Sequence, residues 1–148
     1  MLDIHIKNFL EVTRIQALLI CTSEGRVFKK YGYLNGIDME SFGVLMASHI
    51  SASSGLSQLL NQHQLFDISL HGNINIYACT LNKNFFIITL SDKNTHQGYI
   101  KFELDQKKPL LLEELEKENE NKTLSLNTQE LLFEEIQDRE IDRLFENL

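Results

Sequence analysis

The sequence predicts an α+β domain built on a five-stranded antiparallel sheet, with one long helix and flanking helices around it. Hydrophobic residues make up 43% of the 148 residues, which is enough for a core. Five short runs are either continuously apolar or alternate apolar with polar residues, as strands do. Because these runs are joined mainly by short turns and not by a regular series of helices, the sheet is expected to be antiparallel.

The first elements predicted are a short helix and a hairpin. Residues 3–13 place apolar side chains at a spacing that suits an amphipathic helix. Residues 15–22 and 27–34 then read as two strands, separated by the sequence SEGR. Gly25 in that turn is free to adopt a positive φ angle, so the two strands are expected to pair in antiparallel fashion.

A long helix is predicted over residues 39–62. Asp38 is a good N-cap and Glu40 suits the first turn, and apolar residues then recur at steps of three and four. Leu45, Leu56 and Leu59 are expected to face the core. The opposite face carries small or short polar residues: Ala47, Ser51, Ser54, Gly55 and Gln58.

Small side chains on a helix let another backbone approach closely. The small face therefore predicts a contact with the same helix of a second subunit about a two-fold axis. A solvated serine face is the alternative.

Three further strands are predicted over residues 65–72, 73–81 and 85–92, joined by short turns into a meander. A helix follows, and Pro109 is expected to break or kink it. The sequence thus predicts a domain over residues 1–108.

The rest of the chain is predicted to form a kinked helix and acidic linker over 109–125 and an amphipathic helix over 126–148. One face of that last helix is apolar: Phe133, Ile136, Ile141, Leu144 and Leu148. It is expected to dock on a partner or a second subunit, or to fold back on its own domain.

Charge is distributed unevenly along the chain. Residues 1–109 hold ten Lys and Arg and nine Asp and Glu, a net charge of +1, whereas residues 110–148 hold four and twelve, a net charge of −8. This pattern disfavours nucleic acid and anionic lipid as partners, since both require clustered cations. No membrane insertion and no secretion signal is expected, so Cys21 and Cys79 are interpreted as reduced, buried residues of a cytoplasmic protein.

No recognised catalytic motif is present. The sequence SSGLS has neither the lysine nor the preceding strand of a phosphate-binding loop, and no pair of histidines has the HExxH spacing. No nucleophile with a nearby base stands out. The sequence therefore predicts no cofactor, no metal and no enzymatic activity.

Two segments carry a resemblance to a known family. The SEGR turn between two strands, and the sequence LSDKNTHQGYIKFEL with Asp92, Asn94 and Gly98, resemble the Roadblock (dynein light-chain) domain across residues 1–108. The resemblance implies a sheet between the long helix and two flanking helices. It also implies dimerisation through the long helix and the strand at 65–71, which adds Phe66, Ile68 and Leu70 to the interface and joins two sheets into one.

The resemblance also implies a function. Roadblock proteins bind small Ras-like GTPases, as scaffolds or, in the MglB type, as dimeric GTPase-activating proteins that reorganise the catalytic residues of the GTPase itself. The expected function is therefore a non-enzymatic homodimeric regulator or scaffold of a small Ras-like GTPase. The alternative is a structural adaptor whose C-terminal helix docks on a motor, filament or cell-polarity protein without affecting GTP hydrolysis.

Overall fold

A computed structural model of the chain describes residues 2–32, 36–60 and 67–146, with side chains described as far as residue 121 and at Leu124. The elements follow the predicted order as far as the helix after β5: α1 (Leu2–Thr13), β1 (Ala17–Thr22), β2 (Val27–Gly32), α2 (Met39–Leu59), β3 (Asp67–Leu70), β4 (Ile74–Thr80), β5 (Phe85–Asp92) and α3 (Gln97–Glu146). The predicted α+β fold class is confirmed.

The five strands form one antiparallel sheet in the order β2-β1-β5-β4-β3. The central pair is in register from Ala17 opposite Leu90 to Thr22 opposite Phe85. The apolar residues of these two strands are buried along their whole length. Such continuous burial requires cover on both faces of the sheet, which explains why β1 and β5 read as apolar runs and not as alternating ones.

Helix α2 covers one face of the sheet. Met46 is 2% exposed and packs in a cluster with side chains from β1, β4 and β5. The cluster comprises Ala17, Leu19, Cys21, Met46, Ala78, Phe86, Ile88 and Leu90, with Val27, Met39, Phe42, Ala47, Ile50 and Ile76 packed against it. Its members alternate along each strand, so the intervening residues point to the other face.

The other face carries α1 and the first turns of α3. Tyr31, which pairs with Leu18, donates a hydrogen bond to Asp3 of α1. Asp67, which pairs with Cys79, forms an ion pair with Lys101 of α3. Both helices bury their apolar side chains on this side: Leu2, Ile6, Phe9, Ile100, Leu104 and Leu111.

Residues 109–125, which the sequence predicts as a kinked helix and acidic linker, are helical throughout. Helix α3 runs through Pro109 and continues to Glu146. Proline removes one backbone hydrogen bond, but Leu104 and Leu111 on either side of it are 0% and 1% exposed. Their packing holds the adjacent turns in the helix.

The acidic segment beyond Pro109 is helical as well. It is rich in Glu and Lys, which favour helix, and Glu113 and Lys117 form an ion pair one turn apart. By its contacts the chain divides into two compact units, Met1–Leu112 and Glu113–Leu148.

A close backbone contact joins the β1–β2 turn to α2. Gly25 has φ of +95°, and a Cβ atom on Gly43 would lie 2.5 Å from the carbonyl oxygen of Gly25. A Cβ atom on Gly25 would in turn lie 2.7 Å from the Cα atom of Val44. Glycine at both positions therefore allows the turn to pack directly on the helix.

We expect Gly43→Ala to lower the free energy of unfolding by about 1–3 kcal/mol, because the added methyl group meets backbone that cannot rotate away. Thermal and urea unfolding would measure the change. Gly98→Ala is the matched control, since a Cβ atom there meets nothing within 4 Å. An equal loss in both variants would contradict the contact.

We expect both cysteines to resist thiol reagents in the native protein. Cys21 and Cys79 are buried and free, as the sequence predicts, and burial raises the pKa of each thiol to about 12. Little thiolate is therefore present at neutral pH. Reaction with a chromogenic disulfide should be slow until denaturant is added and should then reach two thiols per chain. Fast labelling of either thiol in the native protein would show that its strand opens readily.

Candidate self-association surface

Helix α2 presents an outward face without formal charge. Residues 41–60 contain no Asp, Glu, Lys or Arg. Several large apolar side chains on this stretch are more than half exposed: Val44, Leu45, Leu56, Leu59 and Leu60. Interface centres are depleted in charged residues, and monomer surfaces seldom carry apolar patches of this kind. The outward face of α2 is therefore a candidate contact surface.

The predicted orientation of the leucines on α2 is wrong. Helical spacing places Leu45, Leu56 and Leu59 on the core face, but they are 64%, 53% and 80% exposed. The inward face instead uses Met46 and, near the end of the helix, Ser57.

Serine is tolerated on the inward face because its hydroxyl group finds a partner within the helix. The Ser57 Oγ donates to the carbonyl oxygen of Ser53 at 3.2 Å, and the Ser53 Oγ donates to that of His49 at 3.0 Å. Helical spacing alone could not distinguish a face that buries Ser57 from a face that exposes Leu59.

The exposed residues include one regular stripe. Leu45, His49, Ala52, Leu56 and Leu59 follow one another at steps of four, three, four and three, and all five are exposed. This is the spacing with which two helices pack side by side in a coiled coil. We refer to these five residues as the α2 seam. The 3.5-residue period was the signal in the sequence that could have identified it.

The predicted small face lies partly on the same outward surface. Ser51, Ser54, Gly55 and Gln58 are exposed. A Cβ atom on Gly55 would meet nothing within 4 Å. Ala47 is half-buried against the core cluster of its own chain. Four of the five predicted residues on α2 are thus available for contact with a second molecule.

Strand β3 brings further predicted residues to the edge of the sheet. Ile68 is half-buried and Leu70 is 36% exposed. They pair with Ala78 and Ile76, which point to the sheet face that α2 covers. β3 is the last strand in the sheet order. Phe66, the remaining predicted residue, lies outside the described part of the chain.

The start of β3 is held by a polar contact with its neighbours. The Tyr77 hydroxyl donates to the Asp67 Oδ2 at 3.2 Å, and the Lys101 Nζ lies 3.1 Å from the same oxygen. Burial raises the pKa of Tyr77, and the hydrogen bond to Asp67 raises the pKa of Lys101. Asp67 therefore ties the edge strand to β4 and to α3.

The start of α2 is set by its predicted N-cap. The Asp38 side chain accepts hydrogen bonds from the backbone N–H groups of Glu40 and Ser41. It also accepts one from the Ser41 hydroxyl at 2.7 Å, and this bond lowers the pKa of Asp38. The cap fixes where the long helix begins and hence which residues face outward.

The residues predicted on the C-terminal helix cannot be placed as side chains. Phe133, Ile136, Ile141 and Leu144 belong to the helical backbone of α3, but their side chains lie outside the described residues, as does the whole of Leu148. Within the described part of the chain, no three His, Cys, Asp or Glu side chains form a group that could hold a metal ion. No helix there is long and apolar enough to cross a membrane.

Comparison with known proteins gives a structural likeness without a sequence match. No protein-family model and no curated protein matches the sequence. Among solved structures, MglB of Myxococcus xanthus superposes with a TM-score of 0.72 at 15% identity, over 78% of this chain and 95% of that one. The gliding protein MglB of Thermus thermophilus gives a TM-score of 0.66 at 16% identity, over 74% and 84%.

A Roadblock/LC7 domain from Streptomyces avermitilis gives a TM-score of 0.66 at 10% identity, over 76% of this chain and 96% of that one. Because all three identities are low, the likeness shows the fold. The chain has a Roadblock fold like that of MglB.

Proposed function

We propose that this protein is a cytoplasmic homodimer that regulates or scaffolds a small Ras-like GTPase. The observation that carries the proposal is the uncharged, apolar outward face of α2, on a fold shared with MglB. In the Roadblock family, which the sequence resembles, the same helix and the strand after it form the dimer contact.

The physical argument for self-association begins with the α2 seam. Exposing Leu45, Leu56 and Leu59 to water is unfavourable, and a second copy of the helix would remove that apolar area from solvent. Ser51 and Gly55 beside the seam are small enough for the two backbones to approach closely. A two-fold arrangement buries the same surface on both subunits, so no separate complementary partner is needed.

Strand β3 supports the same arrangement. Ile68 and Leu70 lie at the edge of the sheet, on the face that α2 covers. Pairing of β3 with its counterpart would satisfy backbone hydrogen bonds at the edge and join the two sheets. The proposed interface therefore combines the outward face of α2 with β3.

The dimer would act on the GTPase by binding. A regulator of the MglB type reorganises the catalytic residues of the GTPase and needs no nucleophile or metal of its own. The C-terminal helix, with Phe133, Ile136, Ile141, Leu144 and Leu148 on one face, is proposed as a second contact with the GTPase. The net charge of −8 over residues 110–148 favours a basic surface on the partner.

A structural adaptor is the second candidate. Leu124, on the helical extension of the chain, is 64% exposed and suits a contact with another protein. In this case the C-terminal helix would bind a motor, filament or polarity protein, and GTP hydrolysis would be unchanged.

We expect the protein to sediment as a dimer, and Leu56→Asp to raise its dissociation constant by at least about tenfold, because a carboxylate would be buried in the contact. Gly55→Leu should weaken the dimer as well, since its side chain would hold the helices apart. Sedimentation equilibrium would measure both.

The matched control variants make the same two substitutions at exposed positions outside α2. Leu110→Asp alters another exposed leucine, on α3, and Gly98→Leu alters another open glycine. A monomeric wild-type protein, or a dimer that all four variants leave intact, would refute the proposed contact.

We expect the full chain to bind a small Ras-like GTPase and to raise its single-turnover rate of GTP hydrolysis by about tenfold or more. Each purified Ras-like GTPase of the source organism would be tested with GTP in the absence and presence of the protein. Binding without a change in rate would support a scaffold. Neither binding nor stimulation by any of them would refute the proposal.

The C-terminal helix can be tested in the same assay. Phe133→Ser combined with Ile136→Ser removes two residues of its apolar face without altering any residue of the domain. A lower affinity for the GTPase would support the second contact. Unchanged GTPase binding, together with loss of another protein partner, would favour the adaptor.

A further inference from the structure

A single ionisable side chain interrupts the α2 seam. His49 is the only residue between 41 and 60 that can change its charge near neutral pH, and its side chain is exposed. It follows Leu45 by four residues and precedes Ala52 by three and Leu56 by seven, so it lies inside the apolar stripe. A polar residue within such a seam specifies the register and oligomeric state of the paired helices, at a cost in stability.

The position of His49 along the helix is also special. α2 contains 21 residues, and ten of them lie on each side of His49. If two copies pack in antiparallel fashion along their full length about a two-fold axis, the midpoints of the helices meet at that axis. The two His49 side chains would then face each other at the centre of the contact.

Among the described residues, no group near His49 is placed to stabilise a protonated imidazole ring. The Ser53 hydroxyl donates to the backbone carbonyl oxygen of His49, and the imidazole ring has no hydrogen-bond partner within the part of the chain that the structure describes. Glu40, the only carboxylate in α2, precedes His49 by nine residues, or two and a half turns, and so lies on the opposite side of the helix.

The titratable groups of the strands that pack against α2 lie on the sheet side of the helix, where the exposed Lys30 of β2 is paired with Leu19. The β1–β2 turn, which contacts α2 at Gly43, adds Glu24 and Arg26. Cys21 is buried in the core, and so is Cys79. Asp67 is engaged by Tyr77 and Lys101. Across the proposed interface, the second subunit would bring a second His49 and Glu40 on α2 and a second Asp67 on β3.

We propose that His49 makes the association of the two subunits depend on pH, such that the dimer forms with neutral imidazole rings and loosens when they are protonated. Burying a cation among leucines is unfavourable, and two cations at a two-fold axis repel each other. The free chain binds more protons than the dimer, so the dimer is strongest above the pH range in which imidazole titrates. It weakens as pH falls through that range, between about pH 8 and about pH 5.

This inference rests on the proposed dimer. The experiment distinguishes a failure of the role of His49 from a failure of the dimer itself. The dissociation constant of the full chain would be measured by sedimentation equilibrium at about pH 7.5 and about pH 5.5, with circular dichroism to verify that the fold persists. We expect the dissociation constant to rise by about tenfold or more at the lower pH. His49→Gln, which keeps a polar side chain without a charge, should remove most of this change.

His96→Gln is the matched control, since His96 is an exposed histidine before α3. It should retain the pH dependence of the wild type. His49→Arg, which carries a permanent charge, should weaken the dimer at both pH values. The role of His49 would be overturned if the dissociation constant of the wild type did not change with pH. It would also be overturned if His49→Gln showed the same change with pH as the wild type. The absence of a dimer at either pH would instead overturn the proposed function.

Discussion

The structure depends on the burial of β1 and β5 on both faces of the sheet. Every residue of these strands is buried except Thr22 and Asp92 at their ends, so neither face is left in water. One face is covered by α2, and the other by α1 and the first turns of α3. Because Met46 and its neighbours on α2 pack against the sheet, the opposite side of that helix faces outward. The candidate surface is thus a consequence of how the core is closed.

The close approach of Gly25 and Gly43 sharpens this constraint. Backbone contact between the β1–β2 turn and α2 leaves the helix little freedom to rotate about its own axis. The Asp38 cap fixes where the helix starts. Together these features determine that Leu56 and Leu59 are exposed while Ser57 is buried. A rotation that buried the leucines would separate Gly43 from the turn.

The fold could be predicted from the sequence because its signals are local and agree with one another. Apolar runs, short turns and the Asp38 cap each specify an element, and the element order follows from them. The orientation of α2 could not be predicted in this way, because leucine and serine faces both recur at helical spacing. The choice depends on serine hydroxyls that bond within the helix and on a glycine contact distant in sequence. The continuity of α3 through Pro109 likewise depends on the burial of Leu104 and Leu111, which tertiary packing alone decides.

The polar contact at Asp67 gives the edge of the sheet a connection to the rest of the domain. Asp67 begins β3, and its carboxylate is shared by Tyr77 of β4 and Lys101 of α3. The Lys101 side chain is exposed, so its ion pair contributes little to stability in water. The contact places one carboxylate against both the adjacent strand β4 and the first turns of α3. A rearrangement of β3 that moved Asp67 would break both of these contacts.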